Sequence, residues 1–184
     1  MKHNFVASYS YQIPFERLFR APNRWTQGWA LSGITRFSSG FPVTLVNLGD
    51  NSLLGAEPNG VNNFGVDEPD FTPGPLKLNS NPRNGQPYFD TSLFSLQPLG
   101  TPGTSARRFF YGPGINNYDM ALLKNLKLTE SKSLQLRLEA FNVFNHAQFF
   151  GPAAVDGNIN SSSFGQVLSA APPRLLQLGA KFSF

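Results

Sequence analysis

The sequence predicts an all-β protein, an antiparallel meander of about five to six strands, and three observations predict it. Apolar and polar residues alternate at period two in five separate segments. No uninterrupted apolar stretch approaches the roughly 18 to 20 residues that a membrane helix requires. The connections between the segments alternate between short and very long. A greasy face set against a polar one suits lipid outside and a wet lumen inside. The meander therefore reads as an incomplete segment of a large transmembrane β-barrel with long extracellular loops.

The first strand is predicted near 3–13, where Phe5, Ala7, Tyr9, Tyr11 and Ile13 alternate with Val6, Ser8, Ser10 and Gln12. A connection over 14–27, containing Pro, Arg and Trp25, leads to a second strand near 28–46. Within it Gly40 and Pro42 mark a bulge or the point where the strand leaves the bilayer. The third strand, near 117–128, puts Met120, Leu122, Leu126 and Leu128 on one side and Asp119, Ala121, Asn125 and Lys127 on the other. Lys124 interrupts the apolar side, which is tolerable near the headgroups and costly at the bilayer midplane. The fourth, near 133–145, sets Leu134, Leu136, Leu138 and Ala140 against Gln135, Arg137 and Glu139, the cleanest alternation in the chain. Only the polar turn 129–132 separates the third from the fourth, as between antiparallel neighbours. The last, near 174–184, carries Leu176, Leu178, Ala180, Phe182 and Phe184 on one face and Gln177, Gly179, Lys181 and Ser183 on the other.

The long loops are predicted at 47–115 and 146–173. The first spans 69 residues with nine Pro and ten Gly, more than a compact soluble domain tolerates without structure. Long loops outside and short turns on the periplasmic side fix the strand directions. The final strand then runs inward, with Phe184 at the inner rim and 129–132 in the periplasm. The whole of 1–184 reads as one partial barrel domain.

Composition agrees. There are 18 Phe, 17 Gly and 15 Pro, and 14% of residues are charged, against about 25% in typical soluble domains. The net charge of +4 arises from 15 Lys and Arg against 11 acids. These are scattered singly, so no clustered basic face for nucleic acid is expected. The absence of cysteine excludes disulfides and thiolate metal sites. The amino terminus has a lysine but no apolar segment ending in a small-residue cleavage site, and reads as lacking a secretion signal.

Several blocks together resemble the carboxy-terminal end of TonB-dependent outer-membrane receptors, particularly the Oar-like group whose barrels follow a carboxypeptidase-regulatory-like domain. They are Arg107-Arg-Phe-Phe-Tyr-Gly-Pro-Gly-Ile-Asn-Asn-Tyr-Asp-Met-Ala-Leu-Leu-Lys-Asn125, Leu138-Glu-Ala-Phe-Asn-Val-Phe-Asn-His146 with Phe149, and Phe164-Gly-Gln-Val with Pro173-Arg-Leu-Leu-Gln-Leu-Gly-Ala-Lys-Phe-Ser-Phe184. Gly28-Trp-Ala-Leu-Ser-Gly33, followed by Ser39-Gly-Phe-Pro42, is similar to that family's strand and loop entry. The resemblance implies nutrient uptake in the outer membrane of a Gram-negative bacterium, through a barrel of about 22 strands with an internal plug. It also implies that the signal peptide, TonB-contacting segment and plug lie outside this sequence, so TonB would act only through the missing amino-terminal part. A fragment that is not transport-competent alone is the expectation, since five or six strands cannot close even an eight-stranded barrel. The expected partners are outer-membrane lipid, the remaining barrel and plug, and the barrel-assembly machinery. That machinery would read Leu176, Leu178, Ala180, Phe182 and Phe184 as its signal, by adding the strand to a sheet edge.

No catalytic chemistry is expected. His3 and His146 are the only histidines, one at a strand end and one where strand meets loop, and no Gly-x-Ser-x-Gly occurs. Gly112-Pro-Gly-Ile-Asn-Asn lacks the third glycine of a phosphate loop. Asp50, Asp67, Glu68 and Asp70 could ligate calcium, but they lack the alternating pattern and reading them as a solvated loop is preferred. Arg107, Arg108 and Tyr111 are candidate loop contacts for an anionic or aromatic ligand, and an interfacial aromatic belt explains them as well. Arg137 with Glu139 reads as a lumenal charge ladder. No cofactor or metal is expected. The alternative function is a secreted or surface β-sandwich that binds glycans or mediates adhesion through its Asn- and Gly-rich loops. Detergent partitioning separates the two readings.

Overall fold

A computed structural model describes residues 1–20, 22–55 and 67–184. Along them run β1 (Asn4–Ile13), α1 (Phe15–Leu18), β2 (Trp29–Ser38), β3 (Asp70–Phe71), a 3-10 turn (Thr91–Leu93), β4 (Phe94–Ser95), β5 (Ile115–Lys127), β6 (Ser133–Phe141) and β7 (Leu175–Ser183). The chain divides into two compact units. A sheet unit comprises residues 3–38, 115–148 and 172–184, and a loop unit comprises 1–2, 39–114 and 149–171.

The sheet unit is one antiparallel sheet in the order β1-β2-β5-β6-β7. Its register carries the alternation coherently from strand to strand. Tyr11 lies opposite Leu31, Leu31 opposite Leu122, Leu122 opposite Leu138, and Leu138 opposite Leu178. A slip of one residue in any pair would send that strand's apolar set to the wrong face. The sheet is not closed: β1 and β7 each have one neighbour and form its edges. Between β5 and β6 the chain reverses tightly, with the Leu128 and Thr129 amides donating to the Lys132 carbonyl at 2.9 and 3.2 Å.

Boundaries differ from expectation at three places. β2 ends at Ser38 rather than running to 46, because the chain beyond it pairs elsewhere. The Gly112, Val43 and Leu45 amides donate to the Phe41, Phe110 and Arg107 carbonyls at 2.8, 3.0 and 2.9 Å. Gly40 marks this departure, since a Cβ there would overlap the Gly112 carbonyl. β5 begins at Ile115 rather than 117. β6 stops at Phe141 rather than 145, because Asn142 and Asn145 take left-handed conformations with φ of 50° and 51°.

Described parts of the long connections predicted at 47–115 and 146–173 pack together in the loop unit. Leu45, Phe89, Val43, Phe94, Phe110 and Val155 are buried together, with Phe71 and Phe164 packed against them. Phe89 is the hub. Its ring meets Phe94, Phe110 and Phe164 with centroids 5.5, 4.9 and 5.4 Å away, all edge to face. Buried aromatic pairs of this kind add about 0.5–1.5 kcal/mol each beyond area burial. A buried polar network sits in the same unit. Asp67 accepts the Ser52 amide and hydroxyl at 2.7 and 2.6 Å and the Gln97 side chain at 2.9 Å, and Asn47 donates to Gln97 at 3.1 Å. The described parts of these long loops share a core of their own, and most of their buried polar side chains are hydrogen-bonded, the Ser105 hydroxyl being an exception.

Candidate functional site

The functional surfaces are the two faces of the sheet, and the register decides which residue belongs to which. One face carries Tyr11, Leu31, Leu122, Leu138 and Leu178 in a single cross-strand row, and Ile13, Trp29, Lys124, Leu136 and Ala180 in the next. The other carries Ser10, Ser32, Ala121, Glu139 and Gln177 in one row and Gln12, Ala30, Leu123, Arg137 and Gly179 in its neighbour. The first face is exposed as well as apolar. Leu178 is 82% and Tyr11 62% exposed, so apolar surface on this scale calls for a non-aqueous neighbour.

Aromatic rings mark both ends of the apolar face. At the end where the long connections leave, Phe5, Phe37, Tyr118 and Phe144 make a chain with centroid separations of 6.4, 5.7 and 5.0 Å. At the short-connection end, Phe15 stands edge-on to Trp29 at 5.9 Å, and Phe182 stacks on Phe184 at 5.9 Å. From Tyr118 to Leu126 the strand covers about 26 Å at about 3.3 Å per residue. At a tilt of about 40° that is roughly 20 Å along a bilayer normal, close to the apolar band of about 25 Å in membrane barrels.

Two polar groups on this face are spent inside the protein. Thr35 meets the Tyr9 hydroxyl at 3.4 Å, and the Tyr9 ring lies over Gly33, where a Cβ would collide with it. Lys124 is only 5% exposed. Its ammonium donates to the carbonyls of Arg24 and Trp25 at 2.8 and 3.0 Å and to that of Gln27, and it lies 5.1 Å from the centre of the Trp29 ring. A lysine on this face is tolerable near the headgroups and costly at the bilayer midplane. Lys124 is neutralised locally, by carbonyl dipoles and an aromatic face. The 14–28 connection is built for that purpose. Asn23 accepts the Trp25 and Thr26 amides at 2.8 and 3.1 Å, Trp29 donates its indole N–H to the Trp25 carbonyl at 2.7 Å, and Gly28 turns at φ 76°.

The opposite face carries most of the sheet's polar side chains and forms a concavity of about 410 Å³, lined by Ser8, Ser32, Asp119 and Glu139 together with the apolar Ile34 and Phe141. Arg137 pairs with Glu139 on its own strand at 2.8 Å rather than with a neighbouring strand. Exposed pairs of this kind contribute under about 1 kcal/mol. Gln135 donates to Asn125 across the β5–β6 ladder at 2.9 Å. Beside the concavity, Asp119 accepts the Asn142 amide at 2.8 Å and the Asn117 side chain at 2.9 Å. Asn142 in turn donates to the His146 carbonyl and accepts its amide, at 2.9 and 3.0 Å. Gln148 clamps the amide and carbonyl of Asn116 at 3.0 and 2.7 Å. Alternation does not reveal this clasp, although the Phe-Asn-Val-Phe-Asn-His run that builds it stands out in the sequence.

Leu176, Leu178, Ala180, Phe182 and Phe184 all fall on the apolar side of β7, and Phe184 is 92% exposed. Arg107, Arg108 and Tyr111 lie in the loop unit. Arg108 donates to Thr44 at 3.2 Å, the Arg107 carbonyl accepts the Leu45 amide, and Tyr111 bridges Pro42 and accepts the Tyr88 hydroxyl at 3.1 Å. Burial pushes the Tyr88 phenol up from its ordinary pKa. Three of the four candidate calcium acids are likewise occupied: Asp67 as above, Asp50 by the Gly55 amide at 3.2 Å, and Asp70 by the Thr104 amide at 3.1 Å. Among the described residues no three His, Cys, Asp or Glu gather as a metal site. His146 faces Gln148 through Nδ1 at 3.1 Å.

Residues 1–177 match a family model described as an outer membrane beta barrel domain. No curated protein and no solved structure matches the chain.

Proposed function

The chain belongs to the outer membrane beta barrel domain family and is located in an outer membrane, and from that premise we propose that it forms part of the wall of a TonB-dependent receptor for nutrient uptake. The observation that carries this reading is the unbroken apolar face from β1 to β7, whose single cation, Lys124, is held by backbone carbonyls. In this reading outer-membrane lipid covers that face. The face with Asp119, Arg137 and Glu139 meets a lumen, and further strands and a plug complete the transporter. The protein is not an enzyme in this account. Solute movement is the work of the assembled barrel, and TonB acts on a part of it outside this sequence.

The face of β7 that ends on Phe182 and Phe184 serves assembly as well as anchoring. An exposed edge strand with unpaired backbone groups can be added to a sheet edge of the assembly machinery. Phe184→Ala is expected to slow insertion by purified assembly machinery into proteoliposomes while leaving unassisted folding into thin bilayers unchanged. Equal slowing in both would leave the ring as an anchor alone.

Uptake tests the receptor reading. Deleting the coding segment from the chromosome should abolish TonB-dependent accumulation of one labelled solute among ferric chelates, vitamins, oligosaccharides and peptides. Unaltered accumulation of every class would contradict it.

A further inference from the structure

The short connection between β1 and β2 presents an arrangement that the barrel wall does not require. Over residues 14–28 it carries Arg17, Arg20 and Arg24 against one acid, Glu16. All three arginines are exposed, and among the described residues none makes an ion pair or a side-chain hydrogen bond. The apolar residues between them are exposed too: Leu18 at 71%, Phe19 at 63% and Trp25 at 70%. A water-facing turn has no use for three large apolar side chains. A bilayer interface does, since rings and aliphatic stems sit at headgroup level while guanidinium groups meet phosphates.

Below the connection a groove of about 570 Å³ opens on the apolar face of the sheet, lined by Trp25, Trp29, Leu122, Leu136 and Leu178. Its volume lies within the roughly 300–1,000 Å³ of sites that hold small ligands. Lys124 fixes the roof of this groove through the carbonyls of Arg24, Trp25 and Gln27. That leaves the lysine committed and the three arginines free to meet an external anion. Cations in the connection, aromatic rings at the rim and an aliphatic slot match the three zones of a phospholipid.

We propose that this connection is a binding site for an anionic glycerophospholipid of the adjoining leaflet. An acyl chain lies in the groove and the phosphate is met by Arg17, Arg20 and Arg24. The proposal rests on the reading that lipid covers the apolar face, and adds to it a selectivity that a plain hydrophobic belt lacks. Anionic headgroups draw cations near a membrane surface strongly enough to sort lipids by charge. On the topology expected for short connections, the leaflet is the periplasmic one.

The chain has two tryptophans, and both line this groove, so intrinsic fluorescence reports the site without labelling. The full chain is folded into phosphatidylcholine bilayers and titrated with bromine-tagged phosphatidylglycerol or bromine-tagged phosphatidylcholine. Half-quenching is expected at a roughly tenfold lower mole fraction of the anionic lipid, a preference within what three cations at about fivefold each can supply. The triple variant Arg17→Gln, Arg20→Gln, Arg24→Gln should quench equally with both lipids while keeping its β-sheet circular dichroism. Equal quenching of the unaltered chain would overturn the proposal and leave the lipid-covered face standing. Absence of quenching by either lipid would overturn both.

Discussion

The carboxylate of Asp119 accepts the backbone amide of Asn142 at 2.8 Å, tying the middle of β5 to the residue that ends β6. Asn142 holds φ at 50° and makes two further bonds to His146, so one side chain stops the strand and starts the loop. Left-handed backbone costs an ordinary residue about 1–2 kcal/mol, and each hydrogen bond is worth about 1 kcal/mol. Asn142→Ala is therefore expected to destabilise the sheet unit by about 2–3 kcal/mol in urea unfolding from lipid vesicles. Asn142→Gly should recover the conformational part only.

Adjacent positions on β5 separate the two faces. Leu122 lies in the apolar row between Leu31 and Leu138, while Ala121 lies opposite Glu139 on the polar side. Leu122→Arg should cost about 2–4 kcal/mol in bilayers, as for a cation near the midplane of a membrane strand. Ala121→Arg should change stability by under about 1 kcal/mol, with Glu139 as a ready partner. Equal costs would contradict the assignment of faces.

Lys124→Met keeps the stem that fills the space under Trp29 and removes the donor shared by the carbonyls of Arg24, Trp25 and Gln27. The Trp25 carbonyl keeps the Trp29 indole N–H, while the Arg24 and Gln27 carbonyls lose this donor, at a cost of about 1–3 kcal/mol. The expected result is a loss of that size in unfolding free energy, together with a changed emission maximum from Trp25 and Trp29. An unaltered melt would mean that the ammonium is incidental.

Asp156 supplies a pH dependence in the loop unit. Desolvation raises its pKa, but hydrogen bonds from Ser161, Asn158 and Ser163 outweigh this and hold it below the ordinary 3.8. A lowered native pKa stabilises the fold above the ordinary value, and that contribution disappears as pH falls through the native value. Asp156→Asn should thus weaken the loop unit at neutral pH and differ little from the unaltered chain at about pH 2. Urea unfolding followed by near-ultraviolet circular dichroism reads the difference.

The strands were legible because a barrel wall writes its two environments directly into alternate residues. In β6 and β7 lipid-suited and polar positions follow one another, with only the paired Phe141 and Leu175 out of phase on the polar side. The loop core was hidden for the opposite reason. Phe71, Phe89, Phe94, Phe110 and Phe164 converge from segments with neither helical nor strand period, and the intervening Gly, Pro and Asn look like linker. Asparagine caps such as Asn23 and Asn142 are equally silent, because a side chain that folds back on its own backbone leaves no mark on hydropathy. Lys124 was visible as a break in the pattern, but its acceptors lie about a hundred residues earlier, beyond the reach of any local rule.

The central claim is that hydrocarbon covers one face of this sheet and water the other, and the chain's lack of cysteine makes it directly measurable. Single cysteines placed at successive positions of β6 from Leu134 to Ala140 carry a nitroxide, in protein folded into bilayers. Relaxation by oxygen, which concentrates in lipid, is compared with relaxation by a water-soluble nickel complex. Leu134, Leu136, Leu138 and Ala140 should favour oxygen, while Gln135, Arg137 and Glu139 favour nickel, alternating at every step. Access of nickel to all seven positions, or exclusion of both reagents from the apolar set, would contradict the account.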